Sequence, residues 1–405
     1  MSSSTTTTYT QLRPYTRGWL ALMAGLGAVI AVALGAVFHM EHQGHWVTGM
    51  TNQVVWGLPH VFAVFLIVAA SGALNIASIG SVFGRVEYQP LGRLSSLLAV
   101  ALLAGGLAVL VLDLGRPDRL FVAMTHFNFK SIFAWNVILY SGFVGVVAVY
   151  LWTQMDWTAK RFYKPAALVA FSWRLILTTG TGCIFGFLAA REAYGAAVMA
   201  PLFIAMSFAY GLAVFILVLS VSFKMTRRPL GDEVPARLVR LLGLFVAANL
   251  YFTALLHVTQ MYFAGRGGVE AFILWNGGLH TTLFWAGQVG LGGILPLVIA
   301  YGGCGHAPRR RAMMASVLVV LGGLAQVWVI IIGGQAWPLD LFPGMEVSST
   351  FADGHIHDYA PSAWETMLGL GGIAIALVIT VLGMTALRLL PSGLGEPGEQ
   401  CCRHN

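Results

Sequence analysis

The chain has 405 residues, 58% of them hydrophobic and only 10% charged, with a mean hydropathy of +0.77 and a formal net charge of +7. A water-soluble domain carries roughly a quarter of its residues charged, so the composition argues against a soluble fold and for a bilayer as solvent. The basic excess follows membrane topology, as set out below, and carries no nucleic-acid implication.

The first sixteen residues form a polar tail, of which the Ser/Thr-rich segment from Ser2 to Thr10 is expected to be disordered. Ten apolar runs follow, at 17–39, 54–83, 93–114, 131–153, 165–189, 196–223, 237–263, 280–302, 312–334 and 364–390. Each is near or above the ~20 residues that a helix needs to cross about 30 Å of hydrocarbon. The first run is too long for a cleavable signal peptide and lacks a clear small-residue cleavage site. The expected fold is therefore an all-α integral membrane protein of about ten transmembrane helices. A ten-span domain at 17–390 lies between two polar tails, 1–16 and 391–405.

Alternate connecting segments differ sharply in basic residues. One set, from Arg13 and Arg17 to Arg388 and Arg403, holds 17 of the 23 Lys and Arg. The other holds Arg116, Arg119, Lys130, Arg191 and Arg266, and Arg174 lies within a span. Positive residues gather on the cytoplasmic side, so both termini are expected there, in a bacterial inner membrane.

Taken in order, the polar residues at membrane depth are few and therefore informative. His39, His42 and His45 follow the first span at a spacing of three, beside Trp46, and His60 opens the second. Asp113 ends the third with Arg116 three residues on, a spacing that permits an ion pair or a helix end that snorkels to the interface. His126 precedes the fourth span, and Arg174 lies near the middle of the fifth as either a proton relay or a structural hydrogen-bond hub. His257 lies in the outer half of the seventh.

All these histidines fall on the outward side. With Asp113, Asn128 and Tyr140 they suit a quinone headgroup, since quinol oxidation needs a proton acceptor and His transfers protons near neutral pH. A second reading is haem b on His60 and His257, but no helix carries the paired histidines of two-haem cytochromes. A plain hydrogen-bonding role stands open for each histidine singly. Asp113, Arg174 and His257 are the candidate proton path.

Two segments read alike. Leu112-Asp113-Leu114-Gly115-Arg116 with Ser131-Ile132-Phe133-Ala134-Trp135 parallels Leu256-His257-Val258-Thr259-Gln260 with Thr281-Thr282-Leu283-Phe284-Trp285. This suggests that spans 2–5 match spans 6–9 as two parallel four-helix bundles with flanking helices. The outward stretch from Gly333 to Glu365 carries Asp340, Glu346, Asp353, Asp358 and Glu365 with no Lys or Arg. It is either a solvated connector or, given its length, a docking surface. Cys183, Cys304 and the vicinal Cys401-Cys402 form no metal-binding spacing, so no iron–sulfur cluster or metal site is expected in this chain.

Asp113-Leu114-Gly115-Arg116-Pro117, followed by His126-Phe127-Asn128-Phe129-Lys130-Ser131, resembles the NrfD/PsrC family of membrane anchors, with its D-x-G-R turn and F-N-x-x-S helix start. Trp56-Gly57-Leu58-Pro59-His60 is similar to the family's second helix with its usual P-W-G order altered, which leaves the quinone ligands there open. The ten spans and Gly333-Gly334-Gln335-Ala336-Trp337-Pro338 resemble the DsrP branch, from the DsrMKJOP complex. The resemblance implies electron exchange between a quinone, menaquinone or ubiquinone, and an iron–sulfur subunit of the DsrO type docked outside, alongside cytochrome and other membrane subunits. Such anchors usually bind no haem, and several are suspected of moving protons. It implies a quinone site among His60, Asp113, Arg116, His126, Asn128, Ser131, Trp135, Tyr140 and His257. A secondary transporter and a purely structural anchor are the competing readings.

Overall fold

The computed structural model describes residues 8–302, 307–339 and 354–394. Asp340, Glu346, Asp353, Cys304, Cys401 and Cys402 lie outside the described residues. Among the described residues ten helices are long and apolar enough to cross a membrane: α1 Arg17–Gln43, α2 Leu58–Ser81, α3 Val86–Leu112, α4 Ile132–Met155 and α5 Lys160–Gly186, then α6 Met199–Met225, α7 Glu233–Tyr262, α8 Leu279–Tyr301, α9 Pro308–Ala336 and α10 Ala363–Ala386. The chain is thus a multi-pass, all-α membrane protein. In hydrocarbon each backbone N–H and C=O must be satisfied within its own segment, and a helix does this.

Helix ends follow local chemistry. The Thr16 hydroxyl accepts from Trp19 N–H at the start of α1. Ser362 and Glu365 form a reciprocal capping box on α10. Pro59 and Pro308 stand in the first turns of α2 and α9, where a missing N–H costs nothing.

Ten crossings return the chain to its starting side, where described segments from its first and last parts meet. Tyr9–Thr10 pairs antiparallel with Leu390–Pro391, and the Arg93 guanidinium lies 3.9 Å from the Tyr9 ring centroid. We call this face proximal and the opposite face distal.

At the centre stands α2, 83% buried along its most apolar stretch, against 17% for α1. It packs on α3, α6 and α10, while α4 lies against α5 and α3, and α5 against α6. In the second half, α6 packs on α7 and α9, and α8 on α9 and α7, while α1 leans on α10. The α2–α6 crossing depends on Gly72 and Gly211. A Cβ on Gly72 would overlap the Ser207 carbonyl, and one on Gly211 the Gly72 backbone. Small residues let membrane helices approach this closely.

The middle of α8, Leu283–Ile294, and the α9 segment Val329–Gly333 are wound as π-helix. Such windings are uncommon and concentrate at functional sites; here they flank the polar core of the second half.

Candidate functional site

The distal ends of α2 and α3 bring together a histidine and a buried carboxylate. His60 stands in the first turn of α2 and Asp113 caps the last turn of α3. Their Nδ1 and Oδ2 atoms are 3.1 Å apart, with the His60 side chain 22% exposed and that of Asp113 1% exposed. The ring is not aligned for a hydrogen bond, and neither Asp113 oxygen has a hydrogen-bond partner among the described residues. A buried carboxylate without partners is costly, which makes the pair a candidate position for a further donor or a proton. Trp56 stacks over His60 at 6.3 Å between centroids and touches the rings of Phe133 and Phe185. His45 reaches the Asp113 carbonyl through Nε2 at 3.2 Å.

The segment before α2 that carries Trp56 is held by residues distant in sequence. Gln335, at the distal end of α9, accepts from Val55 and Trp56 N–H and donates to the Trp56 carbonyl, each at 3.0 Å. Arg191 donates to the Gln335 and Gln53 carbonyls. Glu365, fully buried, accepts from Gly49 N–H at 2.8 Å and from the Tyr359 hydroxyl at 2.5 Å. That hydroxyl itself accepts from Leu58 N–H at 2.7 Å. A Cβ on Gly57 would overlap Glu365 Oε1, so only glycine fits there. Burial and the neighbouring Glu365 push the Tyr359 phenol well above its ordinary value of 10.0, so it stays protonated and donating.

The other residues singled out in the sequence lie elsewhere. Arg116 is exposed, and no ion pair joins it to Asp113. The i, i+3 rule fails because α3 ends at Leu112 and Arg116 is not helical, with φ −142° and ψ 68°. His126 is exposed and bonds locally to Thr125; Asn128 accepts from Lys130 N–H. Ser131 caps α4 without a side-chain bond, and Trp135 donates to the Phe129 carbonyl. Tyr140 is buried against the Thr181 hydroxyl at 3.2 Å. Glu365 is a correction to the acidic outward stretch: it faces the interior, and the helix preceding that stretch runs on to Ala336. Asp358 is exposed.

His257 belongs to a second cluster. Its Nδ1 lies 2.7 Å from Glu270 Oε2, with side-chain exposures of 12% and 4%. Beside the pair is a cavity of about 20 Å³, also lined by Thr253, Gln288 and Gln326, room for about one water. From it a polar chain runs towards mid-helix. Gln288 donates to Thr253 at 3.3 Å, and Gln326 joins Thr253, Asn249 and Tyr210 at 2.6–3.2 Å.

Arg174, 1% exposed, lies in the first half of the molecule. Its Nη2 donates to Asn75 at 3.0 Å and its guanidinium faces the Phe171 and Phe208 rings at 4.9 and 5.0 Å. Its Nε and Nη1 have no partner among the described residues.

Sequence reasoning missed Glu270, Tyr359, Gln326 and His280. His280 is a buried residue at the start of α8 whose cavity of about 390 Å³ also holds Asn276, Asp358 and Tyr359. Ser362-Ala363-Trp364-Glu365 has the spacing of a capping box, a signal that would have turned Glu365 inward. Among the described residues no three His, Cys, Asp or Glu side chains converge on a metal position.

A family profile described as polysulphide reductase, NrfD, matches residues 46–338. The chain is 28% identical over 380 residues to the Hdr-like menaquinol oxidoreductase integral membrane subunit of Archaeoglobus fulgidus, covering 92% of this chain and 94% of that one. It is 23% identical over 392 residues to a selenate reductase subunit of Mesobacillus selenatarsenatis, covering 87% and 90%. It is 27% identical over 312 residues to a polysulfide reductase chain of Wolinella succinogenes, covering 71% and 96%.

Proposed function

The chain belongs to the polysulphide reductase NrfD family, and from that premise we propose that it is the quinone-reactive membrane subunit of a multisubunit oxidoreductase. The carrying observation is the buried Asp113 carboxylate, without hydrogen-bond partners among the described residues, 3.1 Å from the half-buried His60 ring. The names of its relatives, a menaquinol oxidoreductase subunit and components of two reductases, support the same class.

Oxidising a quinol to a quinone releases two electrons and two protons. His60 takes one hydroxyl proton on its solvent-facing side, Asp113 stabilises the imidazolium that forms, and the second hydroxyl proton leaves to water at the distal face. Matched acid–base groups of this sort contribute typically 10²–10⁴-fold. Trp56 supplies an aromatic face for the ring. The electrons pass to an iron–sulfur partner on the distal face, and reduction of a quinone runs the same steps backwards. Basic residues concentrated on the proximal face support a cytoplasmic assignment for both termini, in a bacterial inner membrane, which turns the distal face outward. We assign the partner to the DsrO type, with cytochrome subunits, in sulfur metabolism.

The His257–Glu270 pair and its polar chain support a second element, proton exchange between the distal surface and mid-membrane. Asn249 lies eight residues from His257, about 12 Å along α7.

The test is quinol-dependent turnover of the purified complex carrying His60→Ala or Asp113→Asn. Loss of turnover with intact assembly is the expected result. Full activity in both variants, with no extractable quinone, would leave a structural anchor, and substrate uptake by the isolated protein a transporter.

A further inference from the structure

A large cavity on the proximal side lies away from everything described above. It measures about 760 Å³, within the ~300–1,000 Å³ of ligand sites. Its walls are the first turns of α1, the last turns of α6 and those of α10. All three buried residues of α1, Ala33, Ala36 and Met40, lie in its distal half; in the proximal half Trp19, Leu22 and Met23 touch the core only in part, and Trp19 and Leu22 border the cavity.

The opening is held in place by the residues before α1. Leu12 N–H donates to the Met384 carbonyl, Gln11 Nε2 to the Ala386 carbonyl, and Trp19 Nε1 to the Thr385 hydroxyl. This strap crosses the end of α10 and forms the proximal rim, which carries Arg13 and Arg228. Arg228 is occupied by the carbonyls of Leu390 and Pro391. Arg13 is exposed and makes no side-chain hydrogen bond or ion pair among the described residues. Among the described residues no Asp or Glu lines the cavity.

Depth identifies the occupant. From Gly18 to Leu26 the α1 wall extends about 12 Å at 1.5 Å per residue, close to half of the ~30 Å hydrocarbon layer. The inner walls are aliphatic, including Leu22, Leu217, Val221 and Leu377. A Cβ on Gly18 would meet nothing within 4 Å, so the space there is real. An apolar slot one leaflet deep, with cations and no acid at its rim, matches one chemistry.

We propose that this cavity is a binding site for an anionic phospholipid, with an acyl tail between α1, α6 and α10 and its phosphate on Arg13. Basic sites between helices select anionic headgroups in this way. A second quinone has an uncharged headgroup, so Arg13 could offer it a hydrogen bond but no charge pairing, and no preference for an anionic lipid would follow. This assignment is independent of the quinone reading.

The experiment uses the assembled complex in mild detergent, exchanged against equal amounts of phosphatidylglycerol and phosphatidylcholine and read by native mass spectrometry. We expect retained phosphatidylglycerol, with about fivefold preference from Arg13. Arg13→Gln should remove the preference without loss of assembly. Gly18→Trp, which fills the slot, should remove retention of both lipids. Equal retention of the two lipids by the unaltered complex would overturn the proposal, as would unchanged preference in Arg13→Gln. Recovery of a quinone in place of the lipid, or occupation of the slot by a partner's helix, would overturn it too.

Discussion

His60 and Asp113 meet at the distal ends of neighbouring helices with 3.1 Å between Nδ1 and Oδ2, yet the carboxylate accepts no hydrogen bond from any described residue. The arrangement differs from a structural ion pair. A structural pair satisfies its buried oxygens, because an unsatisfied one costs roughly 1–3 kcal/mol. Here a frame of distant residues holds the segment before α2 in place, and under the proposed function the unmet carboxylate is open to a donor from outside.

Asp113→Asn and His60→Ala should therefore each reduce quinol-dependent turnover about 100-fold or more. Arg116→Gln, at an exposed residue that Asp113 does not contact, should stay within a few-fold of the parent. Steady-state rates of the assembled complex check all three, and a loss in Arg116→Gln matching that in Asp113→Asn would put the pairing wrong.

Glu365→Gln should loosen the frame. Glu365 accepts from the Gly49 and Ser362 N–H groups and from the Tyr359 hydroxyl, and an amide would turn a donor towards some of these donors. A loss of roughly 1–3 kcal/mol is expected, measured by thermal unfolding in detergent. The pH dependence has a definite sign. Burial, then Glu365, raises the folded Tyr359 value above 10.0, so this contribution is complete below pH ~10 and is lost as pH rises beyond it. In Tyr359→Phe that alkaline loss should be smaller.

His257→Ala should cost about 3–5 kcal/mol, since removing one partner of a buried pair strands the other charge. Glu270→Gln should cost less because the amide keeps the side chain's shape and still offers an oxygen to the His257 ring. Unfolding midpoints of the two variants, compared side by side, decide this. Both should also slow proton uptake or release during turnover relative to electron transfer.

Arg174→Met offers the opposite pattern. The guanidinium is buried, and among the described residues it has two unpartnered nitrogens and no ion pair with a carboxylate; replacing buried charge with a well-packed apolar side chain is often neutral or stabilising. A midpoint equal to or above the parent, together with lower turnover, is expected. A large fall in stability would make Arg174 a packing residue instead.

The ten helices were legible because a bilayer demands long apolar runs, and each run in the sequence overlaps an observed span. His60 and Asp113 were legible as residues but not as a pair. Spacing along the sequence pointed Asp113 to Arg116, whereas the end of α3 at Leu112 removes the helical geometry that spacing assumes. The frame was hidden for another reason. Gln335, Arg191 and Glu365 reach the segment before α2 from positions far along the sequence, and nothing local signals such contacts. Glu270 was hidden because the residues after α7 fold back as short helices that bury it.

The most direct test of the account is photo-crosslinking of an azido-quinone to the assembled complex, with the labelled peptides identified by mass spectrometry. Labelling that falls on the segments bearing Trp56, His60 and Asp113, and that disappears in Asp113→Asn under competition-controlled conditions, is the predicted result. Labelling confined to a partner subunit, or unchanged in Asp113→Asn, would contradict it.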